Sequence, residues 1–267
     1  MKAPPTEFLD RHQQEQWLVF CEEARATGMT FSPASAGAKA LAIAFDFSEF
    51  VSTSCIRHPH MALDLIDSND LFKPYDDGHM AGRLAPLLLP VAKAAPDIPL
   101  DGMLALLKTA LRIFRRQEMV RIAVRDLAGI CDLDDTMADL SALAAAAIDG
   151  ALGLLFDRMC ATDGVPEDGA GNRQRLVVIG MGKLGAGELN FSSDVDLIFT
   201  FPASGETRGG HRPLSNEAFF TRLCRYLIQT IGENTADGFV FRVDTRLRPY
   251  GDGGPLVMNF DHMEDYY

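Results

Sequence analysis

Apolar residues recur at the spacing of an α-helix along the first part of the chain. The clearest stretch covers residues 102–127, where Leu104, Leu107 and Leu111 fall on one face. Gly129 follows as a stop signal. The same stretch carries five arginines, which we expect to form a solvated or interdomain face: Arg112, Arg115, Arg116, Arg121 and Arg125.

Other helices are predicted on both sides of this stretch. Residues 8–26 and 84–94 have helix-forming composition. The segment Thr136-Met-Ala-Asp139 has the form of a capping-box variant, and we expect it to open an alanine-rich helix that runs to about Arg158. Residues 1–160 are therefore interpreted as a helical region.

The pattern changes towards the C-terminus. Residues 161–174 are rich in glycine, acid and proline, which predicts a surface loop or linker. The apolar patterns that follow predict strands at 176–179, 195–201 and 239–247, with a helix at 216–231. The predicted fold class is α+β, in which the helical region precedes a mixed α/β unit over residues 175–267.

Composition limits the class of function. The chain has 267 residues, 47% of them hydrophobic, and a formal net charge of −12 that disfavours general nucleic-acid binding. Its five widely spaced cysteines are typical of reduced cytosolic thiols. The N-terminus lacks the apolar core of a signal peptide, and no continuous apolar run reaches the roughly 18 to 20 residues of a membrane span. We expect a cytoplasmic protein that binds neither nucleic acid nor membrane.

A glycine motif follows the first predicted strand. Gly180-Met-Gly182-Lys-Leu-Gly185 matches the G-x-G-x-x-G fingerprint of dinucleotide-binding folds. That fold also needs a helix that starts at the glycines and an acid at the far end of the next strand. Here the next residues are poor helix formers, and the acids lie at the beginning of the next strand. The motif therefore does not favour a dinucleotide site.

Two aspartates open the second predicted strand. Asp194 and Asp196 are two residues apart, so both side chains leave the same face, while Val195 and Leu197 point the other way. Adjacent carboxylates repel each other unless a cation lies between them. Mg²⁺ binds carboxylate and phosphate oxygens together, and two such ions can clamp a phosphoryl transfer.

A third acid lies in the last predicted strand. Alternation over residues 239–247 places Phe241, Val243 and Leu247 on one face. The other face then carries one aspartate among arginines, namely Arg242, Asp244, Arg246 and Arg248. Arginine forks match phosphate oxygens.

Each feature also has a structural interpretation. A D-x-D pair alone is usually a solvated strand edge, the arginine-aspartate face can be a surface ladder of ion pairs, and the glycines can form a simple turn. The joint occurrence of a glycine turn, paired aspartates and a third strand acid favours phosphoryl or nucleotidyl transfer.

These motifs extend into a longer resemblance. G-x-G-K-L-G-x-x-E-L-N-x-x-S-D-x-D-L-I-F and D-G-F-V-F-R-V-D-x-R-L-R-P-x-G-x-x-G-P-L-V resemble the bacterial glutamine-synthetase adenylyltransferase/adenylyl-removing enzyme family, as does the upstream run L-R-I-F-R-R-Q-E-M-V-R-I-A-V-R-D-L-A-G. The resemblance covers residues 111–267, and its motifs are long and specific. Residues 1–110 match less distinctly.

The resemblance implies a nucleotidyltransferase core of the DNA polymerase β type, with a mixed sheet and flanking helices. Asp194, Asp196 and Asp244 take the places of the catalytic and Mg²⁺-binding acids. The resemblance and the arginine pattern together suggest a set that binds nucleotide and phosphate: Gly182, Lys183, Ser192, Ser193, Arg242, Arg246 and Arg248. Lys183 follows Gly182 where the superfamily has serine or glycine, so Ser192 and Ser193 are expected to supply hydroxyls instead.

The motifs look like those of the amino-terminal, adenylyl-removing half of the family enzyme. That half implies phosphorolysis of AMP from a modified tyrosine of glutamine synthetase with release of ADP, and a signal protein of the PII type as a further partner. The family continues beyond Tyr267, so we expect a fragment or truncated paralogue whose core lacks its C-terminal side. The alternatives are AMP transfer from ATP to a protein or small-molecule acceptor, and a non-catalytic regulatory module.

Overall fold

The computed structural model describes the backbone of residues 11–267 and the side chains from residue 14 onward. Contacts divide the described chain into two compact units, one of residues 11–77 and 115–140, the other of residues 78–114 and 141–267. Each long helix of the chain contributes residues to both units. Residues 8–10 of the first predicted helix lie outside the described part.

Short helices build most of the first unit. They are α1 (Arg11–Ala26), α2 (Ala36–Phe47), α3 (Glu49–Arg57) and α4 (Pro59–Asp67), joined by parts of α6 (Leu100–Leu127) and α7 (Leu133–Asp163). Trp17, Phe20 and Phe45 form its aromatic centre, with the Trp17 and Phe45 rings edge to face at 5.2 Å. The predicted helix at 102–127 is thus confirmed, and Gly129 follows it with a left-handed φ of 65°.

The arginines of α6 are not a solvated face. Arg121 and Arg125 are buried in the first unit, where both guanidinium groups donate to the carbonyl of Lys73 at 3.1 Å. Arg121 also binds the carboxylate of Asp139 at 2.8 Å and lies over the ring of Tyr75. Helical spacing did not reveal this burial, because the carbonyls that accept hydrogen bonds from these guanidinium groups are distant in sequence.

Helix α7 begins before the predicted position. Its N-terminus is capped by Asp132, whose carboxylate accepts from the backbone N–H of Asp135 at 2.9 Å. The capping-box interpretation of Thr136 was therefore wrong, since Thr136 lies within the first turn and donates to the Asp132 carbonyl. Among the described residues, α7 alone is long and apolar enough to cross a membrane, but 56% of its apolar window is buried, as in the core helix of a soluble protein.

The second unit contains helices and two sheets. Its strands are β1 (Gly164–Asp168), β2 (Val177–Met181), β3 (Val195–Phe201), β4 (Gly205–Gly209), β5 (Val243–Asp244) and β6 (Val257–Asn259). Its further helices are α5 (His79–Ala94), α8 (Gly182–Gly185), α9 (Asn216–Gly232) and α10 (Phe260–Tyr266). The α+β class and the strand at 195–201 are confirmed. The predicted loop 161–174 contains the end of α7 and strand β1, which pairs antiparallel with β4.

The larger sheet is mixed. Strand β2 pairs antiparallel with one edge of β3, while β5 and β6 pair parallel with the other edge, β5 near its beginning and β6 near its end. Helix α9 packs on this unit through Phe219 and Phe220, and the Phe220 ring stacks on Phe201 at 4.8 Å. Both faces of β3 are buried along most of its length, and its half-buried polar residue Asp196 lies where the sheet becomes accessible to solvent.

The last predicted strand is much shorter than expected. Only Val243 and Asp244 pair with β3, and the chain then turns. The Asp244 carboxylate accepts from the backbone N–H of Arg246 at 2.8 Å, a local bond that favours a turn over a strand. Leu247 is 51% exposed, so its place on a buried face was wrong, and Arg246 and Arg248 do not lie on a strand.

Candidate active site

The glycine turn is built around a carboxylate. Gly182 has a left-handed φ of 53°, and a Cβ atom there would lie 2.8 Å from Oδ2 of Asp196. A Cβ atom at Gly185 would lie 2.5 Å from the carbonyl oxygen of Gly180. The glycines therefore serve close packing and a tight turn beside Asp196.

The same turn excludes a dinucleotide-binding fold. That fold needs a crossover helix between two parallel strands. Here α8 ends after four residues, and β2 and β3 are antiparallel. The glycine motif thus belongs to a different architecture, which confirms the prediction from the sequence that it does not form a dinucleotide site.

Two of the aspartates are neighbours across the sheet. Asp196 and Asp244 are register partners on the parallel strands β3 and β5, so their side chains leave the same face about 4.8 Å apart at the backbone. Val195 and Leu197 are buried on the opposite face. Asp194 lies just before β3 and is more exposed. The topology therefore brings Asp244 to the edge that carries Asp194 and Asp196, although Asp244 is far from both in sequence.

Arginines hold two of these carboxylates. Arg242 binds Asp194 through its Nε atom and donates to the carbonyl of Ser192 at 2.6 Å. Arg246 binds both oxygens of Asp244, with Nε at 3.1 Å from Oδ1 and 2.9 Å from Oδ2. Hydrogen bonds from the Arg246 side chain, then its backbone N–H, lower the pKa of Asp244, and the same pairing raises the pKa of Arg246.

The remaining polar groups of the site come from the glycine turn and from the segment before β3. Lys183 at the start of α8 has its Nζ atom 3.5 Å from Oγ of Ser193. The Ser193 hydroxyl donates to the side-chain oxygen of Asn190 at 2.6 Å. Ser192 contributes its backbone carbonyl to Arg242. Of the two serines, Ser193 presents a hydroxyl beside a cation.

An open cleft of about 500 Å³ joins these groups. It is lined by every site residue that the sequence predicted except Arg248, and also by Asn190. Arg248 donates to the carbonyl of Thr245 at 2.8 Å and lies 3.4 Å from Asp252, so it does not line the cleft, although its charge contributes, after the hydrogen bonds from Arg246, to the lowered pKa of Asp244. Sequence reasoning missed Asn190, although it stands in the E-L-N motif two residues before Ser192.

The carboxylate oxygens of these aspartates are of the chemical type that binds a magnesium ion. Carboxylate oxygens are the ligands that Mg²⁺ takes from proteins together with phosphate. Within the described residues, no hydrogen bond or ion pair engages Asp196, whose Oδ2 atom faces the backbone of Gly182. No three Asp, Glu, His or Cys side chains in this part of the chain converge on a common point. The carboxylates are adjacent, but Asp194 and Asp244 are turned towards arginines.

A buried arginine fixes the approach to β5. Arg112 of α6 is 2% exposed and donates to the carbonyls of Gly238 at 2.7 Å and Thr230 at 3.3 Å, and also to that of Glu233. These carbonyls belong to the end of α9 and the turn that leads to Asp244. Arg112 was expected on a solvated or interdomain face, but burial lowers its pKa and its donors are all directed at backbone. The sequence feature that could have indicated this burial is the position of Arg112 beside the apolar face of α6.

Known proteins match most of the chain. A family model described as glutamate-ammonia ligase adenylyltransferase matches residues 38–267. The chain is 50% identical over 220 residues to the bifunctional glutamine synthetase adenylyltransferase/adenylyl-removing enzyme of Thioalkalivibrio sulfidiphilus, covering 82% of this chain and 22% of that protein. The protein of the same name from Hahella chejuensis is 44% identical over 254 residues, covering 95% of this chain and 25% of that protein. The chain spans about a quarter of the length of these curated relatives.

Proposed function

Because the chain belongs to the glutamate-ammonia ligase adenylyltransferase family, we propose that it takes part in Mg²⁺-dependent removal of AMP from an adenylylated tyrosine of glutamine synthetase. The observation that carries the proposal is the register of Asp196 and Asp244 beside the Gly182 turn. The relatives' name includes an adenylyl-removing activity, and it supports the choice of substrate. A cytoplasmic location is part of the proposal.

The reaction transfers the adenylyl group from a tyrosine oxygen to an oxygen of inorganic phosphate. An oxygen of inorganic phosphate attacks the phosphorus of AMP, the bond from phosphorus to the tyrosine oxygen breaks, and the tyrosine takes up a proton, leaving ADP. Asp194, Asp196 and Asp244 would hold Mg²⁺, which when bound neutralises phosphate charge and orients the reacting oxygens. Such reactions depend mainly on positioning and electrostatic stabilisation.

Cationic side chains of the cleft would bind the phosphates. Lys183 lies at the glycine turn, and Arg242 and Arg246 lie beside the aspartates. A phosphate dianion that attacks another phosphate needs positive charge in addition to the metal, and the chain as a whole carries a net charge of −12. These three cations are therefore well placed to attract the nucleophile.

The second candidate is transfer of AMP from ATP to glutamine synthetase. The descriptions of the family and of the relatives both name adenylyltransferase activity, which keeps this direction open. Both candidates use the same aspartates and the same metal.

One experiment separates the two directions. The chain is incubated with Mg²⁺ and either adenylylated glutamine synthetase plus phosphate, or unmodified glutamine synthetase plus ATP. We expect ADP in the first reaction, no AMP transfer in the second, and loss of the ADP signal in Asp196→Asn. AMP transfer without ADP formation would assign the opposite direction, and equal ADP formation by Asp196→Asn would remove the aspartates from the mechanism.

A further inference from the structure

Two arginines occupy the carboxylates that the proposed metal would need. Arg242 is paired with Asp194 and Arg246 with Asp244, whereas the described residues leave Asp196 without such a partner. The two pairs act on each other, since the charge of Asp194 also raises the pKa of Arg246. Together they form a cluster of alternating charges within one cleft.

These arginines can move without disturbing the fold. The side chains of Arg242 and Arg246 are 58% and 72% exposed, so little packing would be lost when they swing away. The turn after β5 has its own support, because the backbone N–H of Arg246 donates to Asp244 at 2.8 Å independently of the guanidinium group. Ion pairs of exposed arginines are also weak, at about 0 to 1 kcal/mol, and the bidentate pair of Arg246 with the less exposed Asp244 lies at the stronger end of that range.

A metal ion would compete with these guanidinium groups for the lone pairs of the same carboxylates. Arg246 uses both oxygens of Asp244, and Arg242 uses one oxygen of Asp194. A divalent cation that binds Asp196 first would compete for these oxygens and repel both arginines. The released guanidinium groups would then be at the cleft with unused donors that fit phosphate oxygens.

We propose that Arg242 and Arg246 form a cation latch. In the metal-free protein their guanidinium groups neutralise Asp194 and Asp244, and when Mg²⁺ binds they leave these carboxylates and bind phosphate. This inference rests on the proposed function, because it takes the aspartates to be the metal ligands. It predicts that phosphate and Mg²⁺ strengthen each other's binding, since each stabilises the released state of the arginines. By linkage the two effects are equal in size.

The test is Mg²⁺ binding by titration calorimetry, which requires no turnover. Arg242→Ala and Arg246→Ala remove a competitor, so each should bind Mg²⁺ about two- to fivefold more tightly than the wild type, the range given by an exposed ion pair. In an Asp244→Asn background, the effect of Arg246→Ala should vanish, because the pair is already broken. Inorganic phosphate should tighten Mg²⁺ binding in the wild type and less so in either arginine variant.

Two control variants separate the latch from a general effect of charge. Lys183→Ala removes a cation of the same cleft that is not paired with an aspartate. Arg208→Ala removes an arginine that is 72% exposed, like Arg246, but is paired with Glu167 at 3.0 Å on the β1–β4 sheet. Neither should reproduce the tightening. Melting curves check that every variant folds.

The outcomes distinguish the latch from the proposed function. If Asp196→Asn loses Mg²⁺ affinity while both arginine variants bind Mg²⁺ as the wild type does, the metal site stands and the latch is wrong. Tightening in Lys183→Ala equal to that in Arg246→Ala would likewise overturn the latch in favour of a general charge effect. If the wild type binds no Mg²⁺, or if Asp196→Asn binds it unchanged, both the latch and the proposed metal site fail.

Discussion

A methyl group at position 182 would press directly on the carboxylate of Asp196. In Gly182→Ala the new Cβ atom would lie 2.8 Å from Oδ2, so the carboxylate must move by about 0.6 Å to restore ordinary van der Waals contact at 3.4 Å. The left-handed backbone at φ 53° adds about 1 to 2 kcal/mol of strain for a residue with a Cβ atom. The substitution should therefore combine a modest loss of stability with a displaced Asp196 carboxylate.

Gly187→Ala is the matched control. Gly187 has a similar φ of 73°, but a Cβ atom there would meet nothing within 4 Å. Both variants should lose about 1 to 2 kcal/mol of unfolding free energy in urea titrations. Only Gly182→Ala should lose activity as well, by about tenfold to a hundredfold, because misplacement by about 1 Å can cost a hundredfold in rate.

The assay follows ADP release from adenylylated glutamine synthetase at saturating phosphate and Mg²⁺. Substrate saturation and folding are checked for each variant, so that rate differences report on geometry. Equal loss of rate in both glycine variants would show that backbone strain explains the effect. Full activity in Gly182→Ala would refute the reasoning that the turn fixes Asp196.

Three further predictions concern the stability and reactivity of the fold. Arg112→Met removes buried donors from backbone carbonyls and should lower the unfolding free energy by about 2 to 4 kcal/mol, whereas Arg208→Met should change it by less than about 0.5 kcal/mol in urea titrations. The hydrogen bond from the Asn172 side chain lowers the pKa of Asp168. The bond therefore stabilises the fold above the unfolded pKa of about 3.9, and this stabilisation is lost as the pH falls through the lower folded pKa. In urea titrations, the difference in unfolding free energy between the wild type and Asp168→Ala should shrink as the pH falls over that range. A difference that stays constant with pH would contradict the prediction. Burial raises the pKa of the Cys55 thiol, so a maleimide at neutral pH should label it only after denaturant is added.

Local patterns predicted the parts of the fold that depend on local forces. Strand β3 and helix α9 have continuous apolar patterns, and their bounds follow from those patterns to within a residue. Strands β1 and β4 are short and polar, and they exist because they pair with each other across about forty residues of chain, as the register of Gly164 with Gly209 shows. Neither segment has an apolar alternation that a single-sequence argument can detect.

The last predicted strand shows how alternation can mislead. Phe241 and Val243 do alternate with polar residues, but pairing with β3 lasts only for two residues. The Asp244 side chain then binds the backbone of Arg246 and starts a turn, so the alternation at Leu247 has no sheet to support it. The arginines beside the acids were identified from the sequence, but the ion pair of Arg246 with Asp244 depends on that turn, and the ion pair of Arg242 with Asp194 depends on the pairing of β5 with β3.

The buried arginines of α6 could not be predicted from helical spacing. A helix pattern shows which side chains share a face, and long polar side chains on that face are usually solvated. Arg112 is buried because carbonyls at the end of α9 and in the following turn converge on it. Those groups are distant in sequence, so only the folded structure brings them together.

The carboxylate cleft is proposed to transfer AMP to inorganic phosphate. The most direct measurement incubates the chain with Mg²⁺, adenylylated glutamine synthetase and isotopically labelled phosphate, and locates the label in the nucleotide product. We expect ADP that carries the label in its β-phosphate, with no such product from Asp196→Asn. Release of unlabelled AMP, or no nucleotide product at all, would contradict it.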